Sequence, residues 1–566
     1  MWPSRRARLT LVLAYVATVP LPPARALAQT RPELPRVFLD TTYSPPRRGR
    51  LIRVKAGGDL QAALDASRPG DVIELQAGAT FTGNFVLPRK SGTDWIYIRS
   101  SAHARLPRPG TRVAPAHARW MPRIDTPNRA PAIRTAAGAH HYRLVGIEVT
   151  ARGATRSTGP YSDNNVVYLE SEGGQTSVSQ VPTDIVLDRC YVHGTPTGSV
   201  RRGIAMNGAR MAVVDSYLSD FHEVGADSQA ISSWNGPGPF KIVNNHLEGA
   251  GENLMFGGAD PSIPDLVPSD VEIRGNHLFK PRSWRIGDPR YAGTPWSVKN
   301  IFELKNARRV LAEGNVLEHN WRHDQNGFAI LFTVRNQDGA APWCTVEDVT
   351  FRKNVLRHAG GGFNILAADN NYPSQQTRRI LIQNNLLDDI SSVNWGGTGR
   401  LFQMLSLDAR DTGILDLTIE HNTGFSNVAS AYTGDKPIAV HRSFTFRDNI
   451  VPKSTHGFAG GTKSWPPPSP IVTGDGSRTL DTFYVAPVFA GNVLIGSTPA
   501  DYAGHPGNLF PASEAEVGFV DLARGNYRLG PASPYRRAGT NGKDPGAAID
   551  ALEAATAGAV SGAWPP

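Results

Sequence analysis

Residues 302–320 read FELKNARRVLAEGNVLEHN, and the phrase LAEGNVL within them decides the fold. Apolar residues flank a polar residue at a fixed offset, and the chain returns to the pattern in IVLDRCYV, AVVDSYL, KIVNNHL, EIRGNHL, FRKNVL, IQNNLL, IEHNTGF and FRDNIV. The polar positions are Asp188, Asp215, Asn245, Asn276, Asn315, Asn354, Asn385, Asn422 and Asn449, at spacings of 27, 30, 31, 39, 39, 31, 37 and 27 residues. Each unit holds short strand-forming runs broken by glycine and polar turns. With no helical period between the runs, a βαβ sheet and a leucine-rich horseshoe are both excluded. Stacked coils of short strands fit, each strand about 4.8 Å from its equivalent, with asparagines bonding from coil to coil. The expected fold class is therefore all-β, a solenoid of parallel strands.

Composition agrees with a loop-rich globular chain: 566 residues, 57 glycines, 44 prolines and 40% hydrophobic residues. The opening MWPSRRARLTLVLAYVATVPLPPARALAQT places three arginines before an apolar run and ends it at Ala26-Leu27-Ala28. That is a secretory signal peptide, 1–28, with cleavage expected near Ala28 and a secreted or periplasmic destination. Losing its four arginines lowers the formal net charge from +9 to +5 (9 − 4). A modest, dispersed positive charge suits an acidic polysaccharide; no Lys/Arg block points to nucleic acid. No further apolar run is long enough to span a membrane, and the chain is expected to act as a monomer. Cys190 and Cys344 are read as two free thiols, since two cysteines make no disulfide framework.

At the N-terminal end, GGDLQAALDASRPGDVIELQAGATFTGNFVLP (57–88) predicts a short helix capped by Asp59, with Leu60, Ala63 and Leu64 on its apolar side. Pro69-Gly70 ends it before a strand from Val72 to Leu75. This opening resembles the N-terminal cap of right-handed parallel β-helix proteins, the pectin lyase-like superfamily, and the Asn-centred units resemble its coils. The closing NYRLGPASPYRRAGTNGKDPGAAIDAL (526–552) is similar to the tail of secreted bacterial members. The resemblance implies a right-handed solenoid over 56–496, after a Pro/Arg-rich leader at 29–55 and before a C-terminal cap and tail at 497–566. The superfamily includes lyases, hydrolases, epimerases and adhesins, so the fold does not select a reaction.

Alternation turns Phe302 and Leu304 inward and Glu303 and Lys305 outward. In NGFAILFTVRNQ, Phe328, Ile330, Phe332 and Val334 alternate inward while Thr333 and Arg335 face out. Lys305 and Arg335 each end a strand, each precede Asn, and lie 30 residues apart, so they are expected on adjacent coils. The two 39-residue coils flank this strand, and their insertions, FKPRSWRIGDPRYAGTPWSV and NWRHDQNG, mix cations with aromatic residues. Trp284, Arg285, Tyr291, Trp296 and Arg322 are the expected substrate-binding residues, aromatic faces for sugar rings beside cations for carboxylates. The pair Lys305 and Arg335 resembles the catalytic lysine and arginine of polysaccharide lyase family six, the chondroitinase B and alginate lyase type. It departs from that family in the Asn that follows each. The resemblance implies β-elimination. Lys305 would take the proton beside a uronate carboxylate, aided by the like charge of Arg335, which would stabilise the enolate-like intermediate. His323 is the candidate proton donor to the leaving oxygen. Glu303 and Asp260 are the candidate ligands if calcium takes part. A hydrolase on the same scaffold would instead draw on Asp227, Glu252 or Asp260, from the acid-rich SDFHEVGADSQAI (with Asp220, His222 and Glu223) and GENLMFGGADP. The Asn-Thr-Asp, Gly-His-Gly and Arg-Ile-Lys motifs of polygalacturonases are absent. A non-catalytic glycan-binding protein is the remaining alternative.

Overall fold

The asparagine repeat closes into a right-handed parallel β-helix in a computed structural model that describes residues 30–151, 165–435, 440–462, 471–472 and 476–564. The expected signal peptide, 1–28, lies outside the described residues, as does most of the Pro-rich segment 463–475. Three long sheets, of 16, 13 and 13 strands, run the length of the solenoid and are called A, B and C in that order of description. One coil shows the plan: Phe302–Leu304 lies in sheet C, Ala307–Glu313 in A and Val316–Asn320 in B, and the chain then returns to C at Phe328–Thr333.

Apolar alternation builds the core as expected except at the start of strand Phe328–Thr333, where Ala329 joins the core cluster and Phe328, though buried, lies outside it. Phe302, Leu304, Ile330, Phe332 and Val334 are all buried in one continuous cluster. Phe302, Phe332, Phe351, Phe363 and Phe402 pass ring contacts along the axis, with centroids 5.3–6.4 Å apart. At the N-terminal end the helix Leu60–Ala66 forms with Asp59 accepting from the Ala62 amide, and it covers the first coil with Leu60, Ala63 and Leu64. Leu51–Val54, expected in the leader, is already a strand of sheet A, paired with Val72–Leu75.

The ladder sits at the turn from A to B. Each asparagine Oδ1 accepts both the backbone and the side-chain N–H of the preceding rung, as Asn276 does from Asn245 at 2.8 and 3.1 Å. The column runs through Asn315, Asn354, Asn385, Asn422 and Asn449 and on to Asn492 and Asn508. Asp188 and Asp215 are not in it. Their coils fill the position with Cys190 and Ser216, where Ser216 Oγ accepts from the Cys190 amide and Asn245 Oδ1 from the Ser216 amide. The residue before each rung holds φ near +60°, as at Arg189, Asp215, Asn244 and Lys353; Gly275 and Gly314 adopt this conformation without a Cβ penalty. Cys190 and Cys344 are both free and buried.

Residues 30–50 run extended along the outside of sheet A, and three aspartates on alternate coils catch their amides. Asp416 accepts from Thr30 at 3.3 Å, Asp348 from Glu33 at 3.0 Å and Asp270 from Arg36 at 2.9 Å. Three extended residues span roughly 10 Å and two coils about 9.6 Å, so the strap and the solenoid share a period. Arg309 and Arg379, on coils next to Asp270 and Asp348, bind the same carboxylates at 2.7 and 2.6 Å. The C-terminal tail runs back as a second strap. Thr540 binds Asp448, Ala547 binds Thr423, helix Ile549–Thr556 packs on Leu386, and Gly562 accepts from the Arg112 amide. Its bonds go to the A–B corner and to sheet B. Among the described residues, neither 30–50 nor 505–564 hydrogen-bonds to sheet C.

Candidate functional site

Sheet C thus presents the face between the straps, and the strand Phe302–Leu304 lies near its middle. Glu303 faces outward yet is only 1% exposed. Its Oε2 accepts from Asn300 Nδ2 at 2.8 Å, its Oε1 from Thr333 Oγ1 at 3.3 Å, and Lys305 Nζ lies 3.7 Å from Oε1. Lys305 and Arg335 are on adjacent coils: the Arg335 amide donates to the Lys305 carbonyl at 2.9 Å. Each cation has its own anion, because Arg335 Nη1 turns to Asp369 Oδ1 at 2.9 Å and Asn370 Oδ1 at 2.6 Å. Gly257 and Gly258 form the wall beside Lys305; a Cβ at Gly257 would stand 2.8 Å from the Lys305 Cβ.

Four further ionisable residues complete the cluster. Lys299 Nζ is bonded to Asp227 Oδ1 at the rim. Glu252 lies fully buried beneath, with Oε2 accepting from Gln229 Nε2 at 2.7 Å and Oε1 without a protein partner. A bulge brings Glu252 there: the Asn253 and Leu254 amides both donate to the Ile301 carbonyl, which frees Glu252 from the inward set of Leu254 and Phe256. Below it, the buried Lys280 ammonium donates to the carbonyls of Gly249, Ala250 and Gly251, and burial pulls its pKa down to about 7.

The shared environment drives the two rival carboxylates apart. Burial, then the charges of Asp227 and Glu303, push Glu252 up to about 8. Burial also opposes the charge on Asp227, but Lys299 outweighs it and holds that carboxyl below the usual range. Burial likewise opposes the charge on Lys299, and Glu252 and Asp227 more than restore it. The cluster thus favours the protonated form of Glu252 and the ionised form of Asp227.

The aromatic insertions do other work than expected. Trp284 and Trp296 are 4% and 1% exposed and form a buried cluster with Trp321, Trp395, Ala250 and Val298. Their rings enclose His222, stacked on Trp296 at 3.8 Å, and burial lowers its pKa to about 3. Neither tryptophan offers a face to a sugar; they pin the long loops to the stack. Arg285 belongs to the same anchor, over the Trp395 ring at 4.7 Å and bonded to the Asn394 carbonyl. Tyr291 is half-buried, its amide on the Asp288 carbonyl, and Arg322 is exposed, its amide on the Trp395 carbonyl. His323 Nδ1 lies 3.4 Å from the Val298 amide nitrogen and 3.1 Å from Asp324 Oδ1, so it lies near Lys299, before the strand, and not beside Lys305 at its end.

The donor set does not suit calcium. Asp260 Oδ2 clamps the amides of Asp338 and Ala340 at 3.0 and 2.8 Å, while Glu303 faces an ammonium group. Among the described residues no three His, Cys, Asp or Glu side chains converge on a metal position. The acid-rich stretch also divides: Asp220 lies at sheet B, pushed up to about 6 by burial and Glu248, while Asp227 stands at sheet C. Lys299 had no distinguishing mark in the sequence beyond a Lys-Asn pair like that of Lys305.

No protein-family model matches the chain, and no curated protein does. Solved structures do. The PL6 family alginate lyase AlyGC aligns with TM-score 0.43 and 12% identity over 91% of this chain, which spans 59% of the AlyGC chain. The GH87 α-1,3-glucanase of Streptomyces thermodiastaticus aligns with TM-score 0.44 and 11% identity over 75% of this chain and 71% of its own. Pectate lyase Pel9A aligns with TM-score 0.32 and 12% identity over 87% and 92%. The likeness is one of fold. The chain is a right-handed parallel β-helix, an architecture that its structural neighbours use as polysaccharide lyases and glycoside hydrolases.

Proposed function

We propose that the protein is an exported polysaccharide lyase that cleaves a uronate-containing polysaccharide by β-elimination on the outer face of sheet C. The observation that carries this reading is the Arg335-to-Lys305 backbone bond, which sets two cations on consecutive coils above buried carboxylates. Elimination places negative charge beside a carboxylate, so the site must supply positive charge there first. Arg335 and Lys299 supply it. Lys305, in its neutral amine form, takes the proton from the carbon beside the carboxylate, the C–H electrons form the new double bond, and the leaving oxygen departs with that proton returned from the Lys305 ammonium. Glu303, itself fixed by Asn300 and Thr333, positions the Lys305 amine.

A hydrolase is the second reading, favoured by the divergence of Asp227 and Glu252, one ionised and one protonated in a single cluster. Against it, Glu252 is wholly buried and Asp227 is already bonded to Lys299. Incubation with alginate, pectate and chondroitin or dermatan sulfate separates the two. A lyase yields an unsaturated sugar that absorbs in the far ultraviolet. Reducing ends without that absorbance would replace the lyase by the hydrolase, and neither product would leave a binding protein.

A further inference from the structure

On sheet A, away from the charged cluster of sheet C, a cavity opens where the two straps come together. Strap residues 40–43, the loop at Pro109-Gly110 and Trp564 of the second strap roof it, over the strands Ala209–Val214, Phe240–Val243 and Ser269–Arg274. Its volume is about 430 Å³, inside the range of roughly 300–1,000 Å³ usual for small-molecule pockets. Four of its lining residues each keep one buried polar atom without a protein partner: the Tyr43 hydroxyl, Asn244 Oδ1, Glu272 Oε2 and Arg274 Nε. Asn244 is 1% exposed and Glu272 6%. The Asn244 amide is fixed, because its Nδ2 donates to Asp215 Oδ1 at 2.7 Å and to the carbonyls of Gly110 and Gly562 at 3.2 Å each. Turned over, it would set Oδ1 against three acceptors. Glu272 spends only Oε1, 3.5 Å from Arg274 Nη1. Buried donors and acceptors left in this way cost stability, and four around one cavity mark a place shaped for a ligand. Trp564 adds a flat, half-buried wall. Its ring lies on Gly275, where a Cβ would come within 2.4 Å of it, and its Nε1 donates to the Ala555 carbonyl at 2.9 Å.

The lining carries four carboxylates against three cations, and Arg189, bonded to Asp188, supplies a fourth. No net field favours an ion. The free atoms call for a ligand whose groups both give and take hydrogen bonds. Hydroxyls do so, donating to Glu272 and Asn244 while accepting from Arg274 and Tyr43, and an aromatic wall suits the C–H face of a sugar ring. We propose that this cavity is a binding site for a neutral sugar of one or two rings, separate from the face of sheet C. Tyr43 belongs to the first strap, Trp564 to the second, and Asn244, Glu272 and Arg274 to the coils beneath. A sugar held by all of them bridges both straps to sheet A and tightens them there.

This site is independent of the lyase reading, and its test needs no turnover. The full chain is titrated calorimetrically, and its melting followed, with glucose, galactose, mannose, maltose and cellobiose in the millimolar range. At least one of them should bind and raise the melting temperature, as a ligand of the native state must. Its affinity should be the same at low and high NaCl. Tyr43→Phe is the sharpest variant, because the hydroxyl it removes bonds to nothing in the protein. The free protein should keep its melting temperature while the sugar binds about fivefold more weakly, the worth of one neutral hydrogen bond. Glu272→Gln should weaken it about tenfold, since a bond to a carboxylate is worth more. Should Glu272→Gln lower the melting temperature of the free protein, Tyr43→Phe decides alone. A sugar whose affinity neither substitution changes sits elsewhere, and the site falls. Binding by none of the five leaves the four atoms to water and overturns the proposal; an affinity that drops with salt overturns the neutral ligand.

Discussion

Sheets A and C are built from the same coils, yet they treat charge in opposite ways. On A, carboxylates meet arginines or strap amides, with Glu272 alone among those described keeping a buried oxygen without a hydrogen-bond partner. Asp188 lies between Arg143 and Arg189 at 2.7 Å each, and Glu420 receives Arg31 and Arg447 at 2.8 Å. On C, Glu252 is buried beside Asp227 and Glu303 with one oxygen unpartnered, and no arginine among the described residues is bonded to it. The first arrangement offsets the desolvation of its charges through geometry; the second leaves part of that cost standing. A fold has no need of such a cluster on one face when the other shows how it can be avoided, so sheet C is where catalysis is to be sought.

The sharpest way to break this contrast is Lys305→Ala. Turnover should fall by about 10³-fold or more, as for removal of a general base. Unfolding should barely change, because the side chain stands outside the core in a loose 3.7 Å pair. Steady-state rates beside a urea titration test both halves; retained turnover removes Lys305 from the site.

Asp188→Ala is the counterpart on sheet A. Loss of this carboxylate leaves two buried guanidinium groups unpaired, one of which also holds the strap carbonyls of Thr41 and Thr42. Stability should drop by roughly 3 kcal/mol, the cost of breaking a buried pair, with turnover at low temperature intact. An unchanged denaturation midpoint would mean that the ion pairs of sheet A are incidental.

These two residues also mark how far the sequence could be read. Periodicity gave the coils, the inward set of strand 302–304 and the adjacency of Lys305 and Arg335, because alternation and a repeat near 30 residues are local and regular. The ladder was recognised at its asparagines but misread at Asp188 and Asp215, where Cys190 and Ser216 serve instead with shorter or weaker groups. Glu252 stands in the sequence only as one acid of a possible hydrolase set, since nothing there announces the bulge that turns it outward. The tryptophans carry the composition of a sugar platform and the packing of a buried anchor, and only their depth separates the two. That the Pro/Arg-rich leader docks on sheet A is not legible in the sequence, because its partners, Asp270, Asp348 and Asp416, lie 234–386 residues away.

Glu252 sharpens the comparison through pH. In the unfolded chain it ionises near pH 4.5, whereas in the fold burial and Asp227 keep it protonated to about pH 8. Between those values the native state binds the extra proton, so its contribution to stability falls as pH rises. Glu252→Gln removes that slope. Relative to wild type the variant should gain stability from pH 5 to pH 8, by roughly 2 kcal/mol once relaxation around the pair is allowed for. Parallel urea curves at the two pH values read the difference directly; equal slopes for variant and wild type would mean that Glu252 is ionised in the fold and that the cluster resembles sheet A after all.

The smallest effect tests the shared period of strap and solenoid. One glycine inserted between Glu33 and Arg36 makes the segment four residues long against the same two coils. Four extended residues reach about 13 Å where about 9.6 Å is required. Either the Arg36 amide leaves Asp270 or the Glu33 amide leaves Asp348, and the chain bows out between them. Loss of one amide–carboxylate bond at a half-exposed site should cost about 1 kcal/mol. Moving the same glycine to follow Arg47, beyond these three contacts, should cost less. A protease that cuts only extended, undocked chain would then attack the first variant faster than the second while sheet C activity stays equal in both. If the two insertions behave alike, the aspartates hold the strap by charge alone and the match of periods is a coincidence.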